Sequence, residues 1–205
     1  MSDKGVDLRK RRFLTLTTTA VGAVGTGFAA WPFLSAWQPS AKARALGAPT
    51  KADISSLQEG QMVIFEWRGS PVWVVKRSPE MIASLDAVTG EVADPDSEYN
   101  QQPDYAKNKT RSLKPEILVM IGTCTHLGCS PKFRPDFPAP EIDPQWKGGF
   151  FCPCHGSKFD LAGRVYKGVP APINLKIPPY RFESDSMIVI GEDPTDAGGE
   201  DKGTA

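Results

Sequence analysis

The chain has 205 residues, enough for one domain of ordinary size with additional segments. Its 24 basic and 24 acidic residues balance, which argues against nucleic acid as a partner. Glycine and proline each occur 19 times, and this proportion indicates a fold rich in loops and turns rather than a helical bundle.

The N-terminal segment combines a cluster of cations with a long uncharged run. Within residues 1–12 the basic side chains are Lys4, Arg9, Lys10, Arg11 and Arg12. Residues 13–37 carry no charge, and as a helix they would span roughly 37 Å, more than a hydrocarbon core of about 30 Å. Trp31 and Trp37 near the far end suit a membrane interface. We predict a cytoplasmic segment over 1–12, a transmembrane anchor over 13–37, and an outer location for everything after it.

Two interpretations of the uncharged run stay open, a retained anchor and a signal peptide that is removed. Ala41-Lys42-Ala43 and Ala43-Arg44-Ala45 have the small-x-small form of cleavage sites. The run is longer than a signal core of about 7–15 residues, which favours the anchor. The sequence Lys10-Arg11-Arg12-Phe13-Leu14 resembles a twin-arginine signal for export of folded proteins, but Lys10 stands in place of the first arginine.

The rest of the chain is predicted to be a linker followed by a small antiparallel β domain. Residues 38–50 are rich in Ala, Pro, Ser and Lys without an apolar period, which is typical of a flexible linker. Residues 51–191 alternate short β-type runs with Gly and Pro, and the predicted strands are 62–67, 72–77, 116–122, 149–152, 164–166, 180–183 and 187–190. Ser78 and Pro79 predict the start of a short helix that continues to Leu85. We expect an exposed insertion at 94–110 and a disordered acidic tail at 192–205.

All four cysteines and both histidines lie between positions 124 and 155, in two short motifs. These are Cys124-Thr125-His126-Leu127-Gly128-Cys129 and Cys152-Pro153-Cys154-His155-Gly156-Ser157. Thiolates with imidazoles suit zinc or an iron–sulfur cluster, and not magnesium or calcium. A zinc site of two Cys and two His would leave two cysteines without a role, and Cys-x-His is tighter than the usual zinc spacing. The motifs therefore favour an iron–sulfur cluster, with a structural zinc site as the alternative.

This motif pair resembles that of the Rieske proteins, and in particular the iron–sulfur subunits of ubiquinol–cytochrome c reductase. The resemblance covers nearly the whole chain and implies a mainly β fold. In that fold a Rieske-type antiparallel β head carries a small cluster-binding subdomain, with loops over 122–172, after one N-terminal transmembrane helix. The resemblance also implies one [2Fe–2S] cluster, with Cys124 and Cys152 on one iron and His126 and His155 on the other. Neutral imidazoles in place of thiolates raise the reduction potential, into a range of roughly −150 to +300 mV for this class.

The resemblance assigns roles to neighbouring residues as well. Cys129 and Cys154 would form a disulfide that joins the two cluster loops, as suits an oxidising compartment. The hydroxyl of Ser157 would donate to a bridging sulfur, and Leu127 would belong to an apolar docking face. Where many relatives have a tyrosine that bonds a ligand cysteine, this chain has Phe159, so we expect a lower potential. The segment Gly168-Val169-Pro170-Ala171-Pro172 resembles the proline-rich loop that covers the cluster.

The implied function is that of the iron–sulfur subunit of a quinol–cytochrome c oxidoreductase, a translocase. His155 would accept a hydrogen bond and a proton from ubiquinol, and the electron would pass to a c-type cytochrome. Since a fixed cluster would not reach both donor and acceptor, the head would swing on linker 38–50.

The expected partners are cytochrome b, a c-type cytochrome, ubiquinol and the lipid membrane, without nucleic acid, in a dimeric complex. The expected location is a bacterial inner membrane, with the head on the periplasmic side. The Rieske small subunit of an exported molybdenum oxidase is the alternative, because such subunits also carry export signals.

Overall fold

The computed structural model describes residues 5, 7–41, 43 and 47–194. The chain divides into an N-terminal unit, Met1–Ala45, and a second unit, Leu46–Ala205. Parts of the predicted linker and nearly all of the predicted acidic tail lie outside the described residues.

The N-terminal unit contains helix α1 (Leu8–Ser35), 28 residues and therefore about 42 Å long. Asp7 caps its first turn, since the carboxylate accepts hydrogen bonds from the amides of Arg9 at 3.0 Å and Lys10 at 3.2 Å. This cap starts the helix within the basic segment, ahead of the predicted span. The mean hydropathy of its most apolar window is 1.3, and none of its residues is buried. By length and composition, α1 is able to cross a membrane.

The second unit contains three antiparallel sheets of three strands each within the described residues. The first has the order β1-β9-β8, the second β2-β3-β4 and the third β5-β6-β7. The strands are β1 (Thr50–Asp53), β2 (Met62–Trp67), β3 (Ser70–Lys76), β4 (Ile117–Ile121), β5 (Lys132–Arg134), β6 (Gly149–Phe151), β7 (Lys158–Phe159), β8 (Tyr180–Ser184) and β9 (Met187–Ile190).

The mainly β, antiparallel prediction is confirmed, although several boundaries differ. Strands β1, β5 and β7 were not predicted, because two to four residues are too few to show an alternation in sequence. Thr50, predicted to end the linker, pairs with Ile190 at the start of β1. The predicted strand 164–166 is wrong, since the structure has only isolated bridges there, from Val165 to Phe159 and from Tyr166 to Val92.

The predicted short helix is confirmed as α2 (Pro79–Ala87). Its N-cap is Ser78, whose hydroxyl accepts from the amide of Met81 at 3.3 Å, and proline occupies the first helical position. Leu85 is fully buried, so its side of the helix faces the interior of the domain.

The segment at 94–110, predicted to be an exposed insertion, is exposed only in part. Its buried residues, each 6 % exposed or less, are Asp94, Ser97, Gln101, Gln102 and Ala106. The polar composition was misleading because the polar side chains form hydrogen bonds with backbone groups of their own segment. The side-chain amide of Gln102 donates to the backbone carbonyl of Ser97 at 2.7 Å, and the carboxylate of Asp94 accepts from the backbone amide of Glu98 at 2.9 Å. A short 3₁₀ helix, Asp104–Ala106, completes the segment.

Three buried arginines hold the turn at 160–164, which directly follows β7. Arg77 donates to one carbonyl of this turn at 3.0 Å, and Arg111 donates to two others at 3.1 and 3.3 Å. Arg164 pairs with the carboxylate of Asp160 at 2.6 Å. Burial lowers the pKa of Arg77 and of Arg111 to about 10, so both stay charged at neutral pH. The guanidinium groups thus fix the chain immediately after the second Cys/His motif.

We predict that Asp160→Ala lowers the free energy of unfolding by about 3–5 kcal/mol, because it leaves the buried guanidinium of Arg164 unpaired. Urea unfolding of the solubilised protein, followed by circular dichroism, measures the loss. Asp185→Ala is the matched control, since Asp185 pairs with Lys114 on the surface and its removal should change little. Equal losses in the two variants would contradict this account of the turn.

Candidate cluster-binding site

Both Cys/His motifs form loops that are closed by the same pair of backbone hydrogen bonds. The first cluster loop (residues 122–131) follows β4, and the second cluster loop (residues 152–157) follows β6. The amides of Cys124 and Cys152 each donate to the carbonyl five residues later, at 2.7 and 2.8 Å. In both loops the amide of the glycine four residues after the cysteine donates back to its carbonyl at 3.0 Å. The two cysteines therefore sit in equivalent backbone settings.

The backbone conformation of these turns requires glycine at the position that donates back to the cysteine carbonyl. Gly128 has a φ of 82° and Gly156 a φ of 75°, in the left-handed region that side chains disfavour. Glycine at these positions lets each loop reverse within five residues and return to its cysteine.

The loops bury two thiols and bring two imidazoles together near the surface. Cys124 is 3 % exposed and Cys152 is 2 % exposed, and these are the free cysteines of the described chain. His126 is half-buried and His155 is exposed, with ring centroids 4.8 Å apart and planes at 87°. Burial raises the pKa of the Cys124 thiol, and its neighbour Cys152 raises it further. Thiolates at this position therefore require a cation, as metal coordination would provide.

The predicted disulfide between Cys129 and Cys154 is confirmed, and it joins the two loops across 25 residues of sequence. The sulfur atoms of Cys129, Cys152 and Cys154 lie within 4.8 Å of one another. Since two of these sulfurs are bonded to each other, they do not supply thiolates. The Cys and His side chains that the disulfide leaves free are Cys124, His126, Cys152 and His155, which are the predicted ligands.

The proline-rich segment, residues 168–173, is hydrogen-bonded to both cluster loops. The hydroxyl of Ser157, which is fully buried, accepts from the amide of Ala171 at 3.0 Å. The hydroxyl of Thr125 donates to the carbonyl of Ile173 at 2.6 Å. Ser157 keeps its own proton for a further acceptor, as its predicted role requires. The contact of Thr125 was not predicted, because its partner lies 48 residues away in sequence.

The side chains predicted to flank the site lie in contrasting environments. Leu127 is 71 % exposed beside His126, as expected of a residue on a docking face. Phe159 is fully buried on β7, in the same core cluster as Cys124 and Cys152. The aromatic ring at this position therefore belongs to the inner side of the site.

We predict that Phe159→Tyr raises the reduction potential, because the added hydroxyl donates a hydrogen bond that stabilises the more negative, reduced cluster. A hydrogen bond with a net contribution of about 0.5–1.5 kcal/mol corresponds to a shift in potential of roughly 20–60 mV for one electron. Redox titration followed by EPR measures the shift, and Phe159→Leu, which adds no donor, is the control. An unchanged or lower potential in the tyrosine variant would contradict the prediction.

Comparison with known proteins identifies the class of this site. Residues 49–179, which include both cluster loops, match the Rieske [2Fe–2S] domain family. The chain is a Rieske iron–sulfur protein, and the predicted [2Fe–2S] cofactor is confirmed at the level of the domain. Residues 1–40 match a family described as the ubiquitinol-cytochrome C reductase Fe-S subunit TAT signal, in agreement with the twin-arginine resemblance.

Individual relatives narrow the assignment further. The ubiquinol–cytochrome c reductase iron–sulfur subunit of Allochromatium vinosum is 58 % identical over 193 residues, which cover 94 % of this chain and 93 % of that protein. The subunit of the same name from Rhodospirillum rubrum is 44 % identical over 191 residues, which cover 93 % and 96 %. A solved chain of a hyperthermophilic respiratory Complex III is 27 % identical, covers 85 % of this chain and 98 % of its own, and has a TM-score of 0.46.

The chain belongs to the family of iron–sulfur subunits of ubiquinol–cytochrome c reductase. The predicted family, fold class and enzyme assignment are thereby confirmed, and the zinc alternative is excluded. The subunits of Allochromatium vinosum and Rhodospirillum rubrum also favour the quinol-oxidising complex over a molybdenum oxidase, which the sequence had left as the alternative.

Proposed function

We propose that the chain takes one electron, with a coupled proton, from ubiquinol and passes it to a c-type cytochrome. The observation that carries this proposal is the pairing of two buried thiols with two imidazoles near the surface. Cys124 and Cys152 would hold one iron of the [2Fe–2S] cluster, and His126 and His155 would hold the other. The donor set fits, because soft thiolates and imidazoles are the ligands of this cofactor.

The cluster, when bound, supplies one-electron chemistry at a potential raised by its two neutral imidazoles. The chain's own contribution to quinol oxidation is made by the exposed ring of His155. One of its nitrogens would bind iron, and the other would accept a hydrogen bond from the hydroxyl of quinol and then hold the proton. Leu127 provides an apolar surface beside His126, where a partner docks and water is excluded. Its exposure supports this role.

The anchor and the disulfide support a location for the chain. We place α1 across a bacterial inner membrane with the basic segment in the cytoplasm and the head in the periplasm. The Cys129–Cys154 disulfide supports an oxidising compartment for the head. The partners are then a cytochrome b subunit that provides most of the quinol site and a c-type cytochrome that accepts the electron, in a dimeric complex within the lipid membrane.

Purification of the tagged, full-length chain from its own membranes tests this function. We predict that haems b and c co-purify with it, and that the preparation reduces cytochrome c with ubiquinol. His155→Ala should abolish this activity, whereas Lys51→Ala, which alters an exposed pair with Glu183, should preserve it. Co-purification with a molybdenum enzyme, or full activity in the His155 variant, would contradict the proposal.

The linker at 38–50 is proposed as the hinge on which the head moves between donor and acceptor. We predict that prolines at Ala43 and Ala45, of which the second lies outside the described residues, slow ubiquinol–cytochrome c turnover severalfold. The EPR spectrum of the cluster should stay unchanged, because neither position belongs to the cluster loops. Serine at both positions is the flexible control. Equal turnover in the proline and serine variants would count against a mobile head.

A further inference from the structure

A partly buried ion pair connects β7, which directly follows the second cluster loop, with the long connection between β5 and β6. We call this connection, residues 135–148, the insert loop. The ammonium of Lys158, the first residue of β7, pairs with the carboxylate of Asp143 in the insert loop. Their side chains are 22 % and 29 % exposed, and among the ion pairs of the described chain only that of Arg164 with Asp160 is more buried.

Lys158 is close to the cluster cysteines but does not face them. It follows Ser157, whose carbonyl accepts from the amide of Cys152 at 2.8 Å, and it pairs with Phe151 across the β6–β7 ladder. Because side chains alternate along a strand, Lys158 lies on the face opposite Ser157 and Phe159. Its charge therefore lies on the other side of β7 from Ser157, and at ordinary ionic strength a charge acts over a Debye length of about 10 Å.

The surroundings of Lys158 leave Asp143 as its neutralising group. The ammonium lies 5.4 Å from the centre of the Tyr166 ring, a contact that carries no formal charge. The other two acids of the insert loop pair with the guanidinium of Arg134. Lys158 in turn lowers the pKa of Asp143 through their hydrogen bond, so the carboxylate is ionised at neutral pH.

We propose that the Asp143–Lys158 pair sets the reduction potential of the cluster by controlling the net charge behind the second cluster loop. Reduction adds one negative charge to the cluster, and a nearby cation stabilises that state. Asp143 cancels most of the lysine's effect and so holds the potential below the value that Lys158 alone would give. The inference rests on the ligand set proposed above, and it makes Asp143 and Lys158 positioning residues that act through the field at the cluster.

Charge-changing variants of the complete, membrane-extracted complex test the proposal by EPR-monitored redox titration. Asp143→Asn leaves the lysine charge uncompensated, so at a fixed ambient potential the ratio of reduced to oxidised cluster should rise about twofold to fourfold. Lys158→Met leaves the carboxylate uncompensated, and the ratio should fall by a similar factor. The double variant should lie between the two, and Lys158→Arg, which keeps the cation, should match the unmodified protein.

Opposite signs in the two single variants are the decisive result. If the pair only anchors the insert loop, both variants loosen the same contact, so shifts of the same sign, or none, would overturn the proposal. Asp143→Asn preserves side-chain shape, so it decides the sign if Lys158→Met fails to retain its cluster. The titration needs only the cluster signal, and an absence of ubiquinol oxidation in the unmodified complex would instead contradict the proposed function.

Discussion

Each cluster loop has to bury a thiol and bring an imidazole, two or three residues away, to the surface. The paired backbone hydrogen bonds satisfy this requirement, since they fold the chain back on its cysteine within five residues. Gly128 and Gly156 permit that reversal at positive φ. The cysteines then lie in the core while the histidine rings meet at 4.8 Å outside it. With the proposed ligands, a site of this kind would expose its proton-binding groups and shield its redox centre.

The rest of the head holds these two loops in fixed positions relative to each other. The disulfide joins them directly, and the proline-rich segment joins them again through the hydroxyls of Thr125 and Ser157. Behind the second loop, buried guanidinium groups bind the carbonyls of the turn at 160–164. Covalent, polar and charged contacts therefore converge on the same few residues. Contacts of this kind orient metal-binding side chains and hold them in place.

The cluster site could be predicted from sequence because its chemistry is concentrated in short motifs. Ligand candidates, disulfide and Ser157 all lie within six-residue segments whose residue types restrict the possible metals. Contacts that join distant segments could not be predicted from the sequence. Lys158 meets Asp143 across 15 residues, and Thr125 meets Ile173 across 48.

The fold shows the same division between local and long-range information. Strand β2 and helix α2 were predicted because an apolar run or a cap identifies them locally. Strand β7 has two residues and is defined by its pairing with β6, so no sequence pattern predicts it. In the polar segment at 94–110, which was predicted to be exposed, the buried positions were missed because burial there depends on hydrogen bonds that composition does not reveal.

The central claim is that two cysteines and two histidines of this chain hold a two-iron, two-sulfide cluster. Pulsed EPR of the reduced protein, grown with ¹⁵N-histidine and combined with iron and acid-labile sulfide analysis, tests it most directly. The account predicts two iron and two sulfide per chain and magnetic coupling to two histidine nitrogens, lost when Cys124, His126, Cys152 or His155 is replaced. Zinc without sulfide, or a cluster signal without nitrogen coupling, would contradict it.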